Sequence, residues 1–337
     1  MRRFGVIALA CISMTLTACG SNVEAITPDA GATTVATDSE EQNEETKAVN
    51  ETNDNKTTET VKEETPTLDE ILKDTSWKLV MDTVIEHPCF DAMGYNEDTI
   101  LTVGYGGEIH YYESSDTTWP RSENASLCRY GLDIIDGNII YTCGNGSNIT
   151  KSVDGGKTFV KKTNLDSREL CTMISFVDEN TGIVASKNLL GITKDGAETW
   201  STVELPGKDD IICIKMKSAD QFCYIDSKLT IYLTEDDGKT WETLPLNLPE
   251  GDDYMPVKKS LDIVFEEDDT YTIYCVQKST KMVKSYSTKD HFSSYTENTM
   301  PEIAIGACYL YVKGDYITLY NDRKKILTVI VKSDSAT

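Results

Sequence analysis

Four arginines lie beyond the first few residues of this 337-residue chain, and they are its best candidates for ligand chemistry: Arg121, Arg129, Arg168 and Arg323. A planar guanidinium donates paired hydrogen bonds to a carboxylate or a sulfate, so a cluster of arginines would bind an anionic ligand. The alternative is that they are solitary surface arginines, each beside one of the many acidic residues. Which alternative holds depends on whether the fold brings them together.

A fifth candidate is Tyr254, which ends the acidic segment of residues 249–254. Loops on rigid scaffolds often carry binding residues, and we predict that this aromatic side chain is exposed on the same face as the arginines. A tolerated insertion without a function is the alternative.

Eight cysteines follow Cys19, and five recur at nearly the same place in five different segments: Cys89, Cys128, Cys171, Cys213 and Cys308. Such a ring of sulfur atoms would suit disulfides between neighbouring segments or a soft-metal site. The chain has no Cys-x-x-Cys pair and only three histidines. We therefore predict buried, unpaired cysteines, with no metal and no cofactor.

A motif repeated at a fixed period determines the elements that must position these residues. It reads Ser/Thr-x-Asp-x-Gly-x-Thr-Trp/Phe, and its three best copies place their aspartates 41 residues apart, at Asp154, Asp195 and Asp236. A weaker copy contains Asp290, and Trp119 ends another. Aspartate accepts hydrogen bonds from backbone N–H groups a residue or two onward, and glycine supplies positive φ. Each copy therefore predicts a tight turn between two strands.

Between the motifs, one unit is predicted to contain four short strands, near residues 170–177, 183–186, 190–193 and 199–203. Four antiparallel strands in every 40 or so residues is the composition of a β-propeller blade. We predict an all-β, six-bladed propeller over residues 67–337, whose last sheet is completed by the strand after Trp77. Seven blades are the alternative, if the longer repeat between Asp236 and Asp290 contains another sheet.

The motif resembles the Asp box, also called the bacterial neuraminidase repeat, over about residues 75–335. The resemblance is most specific where Phe176-Val177-Asp178 and Gly182 lead into the second box. It implies a propeller like those of sialidases, other glycoside hydrolases, photosystem assembly propellers and sorting receptors. In that family the boxes lie away from the ligand site, so the resemblance implies the fold and hardly any chemistry. Of the Phe-Arg-Ile-Pro type motif of sialidases, only Trp119-Pro120-Arg121 is similar.

The first nineteen residues resemble a bacterial lipoprotein signal peptide. Arg2 and Arg3 precede an apolar stretch, and Leu16-Thr17-Ala18-Cys19 is similar to a lipobox. This resemblance implies lipidation of Cys19 and cleavage before it, with a plain signal peptide or an uncleaved anchor as the alternative. Residues 20–66 hold no aromatic residue, twelve acidic residues and three lysines, which predicts a disordered acidic tether.

Residues 67–337 carry most of the formal net charge of −24, which disfavours nucleic acid and anionic headgroups as partners. We predict a propeller on the extracytoplasmic face of the cell membrane, attached by its lipid only, that binds or assembles with a glycan or a protein. Its predicted ligand face carries Arg121, Arg168, Tyr254 and Arg323. A sialidase-like or other glycoside hydrolase is the alternative, and a photosystem-type assembly factor is a third. No catalytic residue is assigned.

Overall fold

The computed structural model describes residues 66–85, 89–96, 100–107, 109–112, 128–165, 170–249, 253–303 and 308–333. All of them belong to one compact unit, Glu63–Thr337. Cys19, residues 20–65 of the predicted tether, Arg121 and Arg168 lie outside the described residues. Within the described part of the chain, no helix is long and apolar enough to cross a membrane.

The described chain begins with a short helix, α1 (Leu68–Leu72), that the repeat pattern did not predict. Its capping box starts it, because Thr67 Oγ1 accepts the Glu70 N–H at 3.3 Å and the Glu70 carboxylate accepts the Thr67 N–H at 2.8 Å. The buried side chain of Leu72 belongs to the same apolar cluster as Trp77 and Ile330. The helix therefore packs against the sixth sheet.

The remaining regular structure is all strand, arranged as six antiparallel sheets in a ring. The first sheet has three described strands, β2 (Cys89–Gly94), β3 (Ile100–Gly104) and β4 (Ile109–Tyr112). The second contains β5 (Arg129–Ile134), β6 (Ile140–Gly144), β7 (Ile149–Ser152) and β8 (Val160–Lys161). The third contains β9 (Met173–Phe176), β10 (Gly182–Ala185), β11 (Leu190–Thr193) and β12 (Ser201–Val203).

The fourth sheet contains β13 (Ile211–Met216), β14 (Phe222–Asp226), β15 (Thr230–Thr234) and β16 (Glu242–Pro245). The fifth contains β17 (Leu261–Phe265), β18 (Tyr271–Val276), β19 (Val283–Thr288) and β20 (Thr296–Asn298). The sixth contains β21 (Cys308–Lys313), β22 (Tyr316–Asn321), β23 (Ile326–Lys332) and β1 (Trp77–Val84). The predicted six-bladed β-propeller is confirmed. In the described residues, the segment that lengthens the repeat between Asp236 and Asp290 forms one isolated bridge, Tyr254 to Gln277, and no seventh sheet.

The sixth sheet joins strands from both ends of the described chain. β1 pairs antiparallel with β23, from Trp77 opposite Lys332 to Val84 opposite Ile326. Leu79 and Met81 flank a shift in this register, which is otherwise regular. The pairing leaves β1 hydrogen-bonded along its length to a strand about 250 residues later in the chain.

Four turns between third and fourth strands share one hydrogen-bonding pattern, which we call the aspartate turns: those of Asp154, Asp195, Asp236 and Asp290. In the first, Asp154 Oδ1 accepts the Thr158 N–H at 2.9 Å and Oδ2 accepts the Thr158 hydroxyl at 2.6 Å. The bonded N–H is four residues onward in every copy. We expected the donating N–H groups to lie one or two residues after the aspartate. That expectation was wrong, because the carboxylate spans the whole turn.

Apolar side chains fill the space between neighbouring sheets. Tyr141 of the second blade stacks on Phe176 of the third, with ring centroids 3.7 Å apart. Between the fourth and fifth blades, Ile225 and Ile263 are fully buried in one cluster. Burial of each such side chain contributes about 1.5–3 kcal/mol, so these interfaces fix the ring that positions the loops at its two ends.

Candidate functional site at the channel mouth

The six inner strands line the centre of the ring, and their first residues meet at one end, which we call the channel mouth. Phe90 of the first blade and Tyr130 of the second lie there with ring centroids 4.9 Å apart. Thr172 of the third blade, Ile212 of the fourth and Tyr309 of the sixth lie at the same end, because each contacts one of two adjacent lysines of the fifth, Lys258 or Lys259.

Lys259 is the residue on which the channel mouth converges. Its ammonium group lies 3.0 Å from Asp91 Oδ2 and donates to the carbonyls of Phe90, at 3.0 Å, and Tyr130. It also lies 5.9 Å from the centre of the Tyr309 ring. Both charged side chains of the ion pair are nearly inaccessible, with 9% and 4% of their surface exposed. Lys259 therefore closes the mouth with a buried ion pair.

The backbone and a neighbour of Lys259 extend these contacts to the remaining blades. The Lys259 N–H donates to the Ile212 carbonyl at 3.3 Å, and its carbonyl accepts the Leu310 N–H at 2.6 Å. Lys258 Nζ donates to Thr172 Oγ1 at 3.2 Å. Two consecutive lysines of the fifth blade thus contact all five others.

The inserted segment, which makes the repeat between Asp236 and Asp290 longer than the others and ends at Lys259, positions these lysines. Leu246 and Leu248 are buried, and the Ser260 hydroxyl donates to the carbonyls of Met255 and Val257. Lys259 itself has a φ of 63°, in the left-handed region that a lysine seldom adopts. The described part of the insertion is therefore packed, and its last turn directs two cations into the mouth.

Below the mouth, the channel contains two further lysine–aspartate pairs. Lys215 Nζ lies 3.3 Å from Asp262 and donates to the Val312 carbonyl at 3.1 Å. Lys313 Nζ lies 2.9 Å from Asp133 Oδ1. The cavity among these side chains has a volume of about 30 Å³, which is enough for water and too small for a sugar ring. A ligand would therefore meet the outer surface of the mouth rather than enter the channel.

Two of these aspartates and a serine also join neighbouring blades. Asp91 Oδ2 accepts the Leu132 N–H at 2.9 Å, Asp133 Oδ2 accepts the Phe176 N–H at 2.6 Å, and Ser175 Oγ accepts the Met216 N–H at 3.1 Å. Our sequence reasoning missed these residues. A signal was present, because positions 91, 133 and 175 are polar residues 42 apart within otherwise apolar strands.

Burial dominates the electrostatics of the channel. It raises the pKa of Asp91 above its ordinary value, although Lys259 acts in the opposite direction. It also raises the pKa of the Tyr311 hydroxyl, which donates to the Leu132 carbonyl at 3.1 Å. Taking a carboxylate out of water costs several kcal/mol unless a cation and hydrogen bonds offset it, which accounts for the paired arrangement.

The structure does not bring the predicted arginines into one described cluster. Arg129 is buried, donates to the Gly107 carbonyl and lies 5.1 Å over the centre of the Phe159 ring. Burial lowers the pKa of its guanidinium to about 10. Its prediction as a ligand-face residue is therefore wrong, because Arg129 joins the first two blades. Arg323 is exposed in the turn between β22 and β23, at the mouth end of the sixth blade.

The predicted exposure of Tyr254 is also wrong. Its side chain is 2% exposed, and its hydroxyl lies 2.6 Å from the Pro249 carbonyl oxygen and 2.7 Å from the Tyr286 hydroxyl. The sequence context of acidic residues suggested an exposed loop, whereas the tyrosine anchors the inserted segment on the fifth blade. Residues 250–252 lie outside the described residues.

The cysteines lie at or near the starts of inner strands or within second strands, and the described ones are thiols: Cys89, Cys128, Cys143, Cys171, Cys213, Cys223 and Cys275. All except Cys128 are buried. Burial raises the pKa of the Cys223 thiol to about 12, so that it stays protonated and unreactive at neutral pH. The side chain of Cys308 is outside the described part.

Large apolar side chains surround the closed mouth and face solvent. Tyr105 is 62% exposed in the turn after β3, Leu170 is 45% exposed before β9, and Val257 is 47% exposed beside Lys258. The half-buried aromatic rings of Phe90, Tyr130 and Tyr309 lie at the same end. Together these side chains offer apolar surface to another molecule at the mouth.

Comparison with known proteins agrees with this architecture. A family model described as Sortilin-Vps10 (sortilin, neurotensin receptor 3) matches residues 147–334, which is more than half of the chain. No curated protein matches the sequence.

Among solved structures, one titled YCF48 bound to D1 peptide aligns with a TM-score of 0.51 at 12% identity, covering 79% of this chain and 98% of that one. An ancestral GH74 enzyme aligns with a TM-score of 0.47 at 12% identity, covering 71% of this chain and 37% of its own. YCF48 from Cyanidioschyzon merolae aligns with a TM-score of 0.39 at 15% identity, covering 58% and 67%. At these identities the likenesses concern the fold alone.

Proposed function

The chain belongs to the Sortilin-Vps10 family, and we propose that it is a binding module whose partner, a protein or a glycan, docks on the channel mouth. The observation that carries this proposal is the set of exposed apolar side chains at that end: Tyr105, Leu170 and Val257. Exposing a large apolar side chain forgoes about 1.5–3 kcal/mol of burial, which a bound partner would restore.

The closed channel directs binding to this outer surface. Lys259 and its ion pair with Asp91 fill the mouth, and the cavity beneath holds no more than water. Partners of a propeller closed in this way meet loops and strand ends, as on other rigid scaffolds that carry their sites on loops. Shape complementarity to the mouth would then set specificity.

A protein segment is the partner class that we test first. The solved structure that aligns over most of its length with this chain is titled as bound to a peptide. At 12% identity that likeness carries no residue-level assignment. It supports a peptide as the first ligand to test and a glycan as the second.

We also propose that the protein is attached to the extracytoplasmic face of the cell membrane through lipid on Cys19, with residues 20–66 as a tether. The lipobox-like Leu16-Thr17-Ala18-Cys19 supports this part of the proposal. Metabolic labelling with a fatty acid should modify the wild-type protein and leave Cys19→Ser unlabelled. Equal labelling of both proteins would contradict lipidation at this residue.

The binding proposal is tested on arrays of peptides and glycans probed with the full-length protein. A hit should be lost in Tyr105→Asp and in Val257→Asp, which place a charge on the mouth, and kept in Val153→Asp. Val153 is the matched control, because it is 66% exposed and lies in an aspartate turn at the opposite end. Loss in the control with retention in both mouth variants would refute the proposed face. A bound glycan that is also cleaved would show a glycoside hydrolase instead.

A further inference from the structure

In the described residues, the turns between second and third strands are basic and the turns at the other end of the propeller are acidic, although the chain as a whole is strongly acidic. Antiparallel strands place the turn between the second and third strand of each blade at the channel mouth. In the described residues these mouth turns contain seven lysines and arginines: Lys187, Lys228, Lys278, Lys281, Arg323, Lys324 and Lys325. Asp322 is the one acidic side chain in the described parts of the same turns.

The opposite end has the reverse composition. Its described turns, which join first to second and third to fourth strands, contain sixteen acidic residues and five lysines. The aspartate turns belong to this end, since the Gly155 N–H donates to the Asn138 carbonyl at 3.0 Å in the neighbouring turn of the same blade. The net charge of −24 therefore describes the whole chain and not the turns between second and third strands at the mouth.

Part of the positive charge at the mouth is already paired. Lys187 lies 3.6 Å from Asp210, and Lys228 lies 2.9 Å from Asp209, both in the third and fourth blades. The remaining cations of these turns are concentrated on the fifth and sixth blades, in a group that we call the basic rim: Lys278, Lys281, Arg323, Lys324 and Lys325. All except Lys281 are exposed, and Lys281 is half-buried. One carboxylate, that of Asp253, lies beside them, where it accepts the Ser279 N–H at 2.9 Å.

Apolar and aromatic groups adjoin the basic rim. Val257 is 47% exposed, in the segment between Met255 and Ser260, and the backbone of both of those residues hydrogen-bonds to Val276, just before the turn that carries Lys278. Tyr309 is half-buried at the start of β21, in the same blade as Arg323, and stacks on Tyr320 with ring centroids 6.0 Å apart. A ligand on this side of the mouth would therefore meet cations and apolar surface within the same two blades.

We propose that the basic rim binds an acidic segment of a partner protein, with an apolar side chain of that segment lying against Val257. This inference rests on the proposed function and specifies the chemistry of its partner. Charge complementarity is the reason for an acidic segment, since the rest of the molecule repels anions and the rim attracts them. The aliphatic surface of Val257 favours a protein segment over a sugar, because it offers nothing to the hydroxyl groups of a glycan.

The test uses the full-length protein and a fluorescent twelve-residue peptide of glutamate and serine with one central leucine. A peptide with glutamine in place of every glutamate is its matched probe. Anisotropy should show binding of the glutamate peptide, at least about tenfold weaker binding of the glutamine peptide, and loss of the difference at high salt. Equal binding of the two peptides, or binding of neither, would overturn the inference.

A pair of variants locates the bound peptide. The double variant Lys278→Glu with Arg323→Glu should weaken binding of the glutamate peptide by more than about tenfold. The control, Lys157→Glu with Lys239→Glu, makes the same change in net charge at the opposite end and should weaken binding less. Thermal unfolding of both variants shows whether they are folded. Equal weakening by the two variants would mean that net charge alone decides, and would contradict a site at the rim.

Competition separates this inference from the proposed function. Displacement of the peptide by oligogalacturonate or by phosphatidylglycerol vesicles at lower concentration than by unlabelled peptide would assign the rim to another anion and overturn the protein partner. If array hits depend on Tyr105 but not on Arg323, the binding face stands and the acidic partner is wrong. If they depend on neither residue, the proposed face is wrong as well.

Discussion

Replacing Lys259 by methionine tests whether a buried ion pair holds the channel mouth together. Methionine keeps most of the apolar stem of the side chain and removes the ammonium group. Asp91 would then remain nearly inaccessible without its cation, while it still accepts the N–H groups of Ala92 and Leu132 at 3.1 and 2.9 Å. The carbonyls of Phe90 and Tyr130 would also lose a donor.

The expected loss follows from these contacts. Breaking a buried pair by removing one partner costs about 3–5 kcal/mol, because the remaining charge stays desolvated. For a domain of this size, about 4 kcal/mol corresponds to a fall in Tm of roughly 8–16 °C. Urea unfolding at pH 7 measures the difference in free energy, with Lys258→Met as the matched control, since Lys258 is only half-buried and donates to the Thr172 hydroxyl.

The pH dependence separates an unpaired charge from a simple loss of packing. Burial already raises the pKa of Asp91, and loss of Lys259 removes the main effect that opposes this rise. A raised carboxyl pKa penalises the folded state above that pKa, and the penalty disappears as the pH falls and Asp91 is protonated. The stability difference between wild type and Lys259→Met should therefore shrink from pH 7 to pH 4. A difference below about 1 kcal/mol at pH 7, or one that does not change with pH, would refute this reasoning.

Two further predictions concern the aspartate turns and the glycines near them. Gly156→Ala should lower the free energy of unfolding by about 2 kcal/mol more than Gly146→Ala, since both residues have positive φ but only a methyl group at 156 clashes with the Tyr111 hydroxyl. Equal losses in thermal unfolding would contradict the clash. Asp154→Asn should destabilise the protein at pH 7, because the Thr158 hydroxyl and N–H hold the pKa of this carboxyl at about 2. A lowered pKa stabilises the folded state above the ordinary carboxyl pKa near 4, and this stabilisation is lost as the pH falls towards 2. Urea titrations should therefore show that the free energy of unfolding falls less steeply for Asp154→Asn than for wild type over that range. The same slope and stability as wild type would show that the bonds to Asp154 contribute nothing.

Periodicity is what made the fold predictable from the sequence. A turn motif that recurs every 41 residues fixes the length of the unit, and alternating strand and turn signals within it give four strands. The short helix Leu68–Leu72 was missed, because a single capped turn has no apolar period to detect. The inner strand of the third blade also begins three residues later than predicted, at Met173, because strand ends depend on pairing rather than on composition.

The site was less predictable, because burial cannot be read from residue type. Arg129 and Tyr254 looked like surface residues, and both are buried with their polar groups hydrogen-bonded. Lys259 lies within the inserted segment, and the sequence contains no sign that its ammonium group meets Asp91, which is 168 positions earlier. Contacts across a ring join residues of distant repeats, so they emerge only when the blades are assembled.

Site-specific cross-linking in living cells tests most directly whether the channel mouth is the binding face. A photoreactive amino acid is placed in the full-length protein at Tyr105, at Val257 or, as the control on the opposite end, at Val153. The proposed function predicts one discrete cross-linked species from the two mouth positions and none of that size from Val153. The same species from Val153 alone, or equally from all three positions, would contradict it.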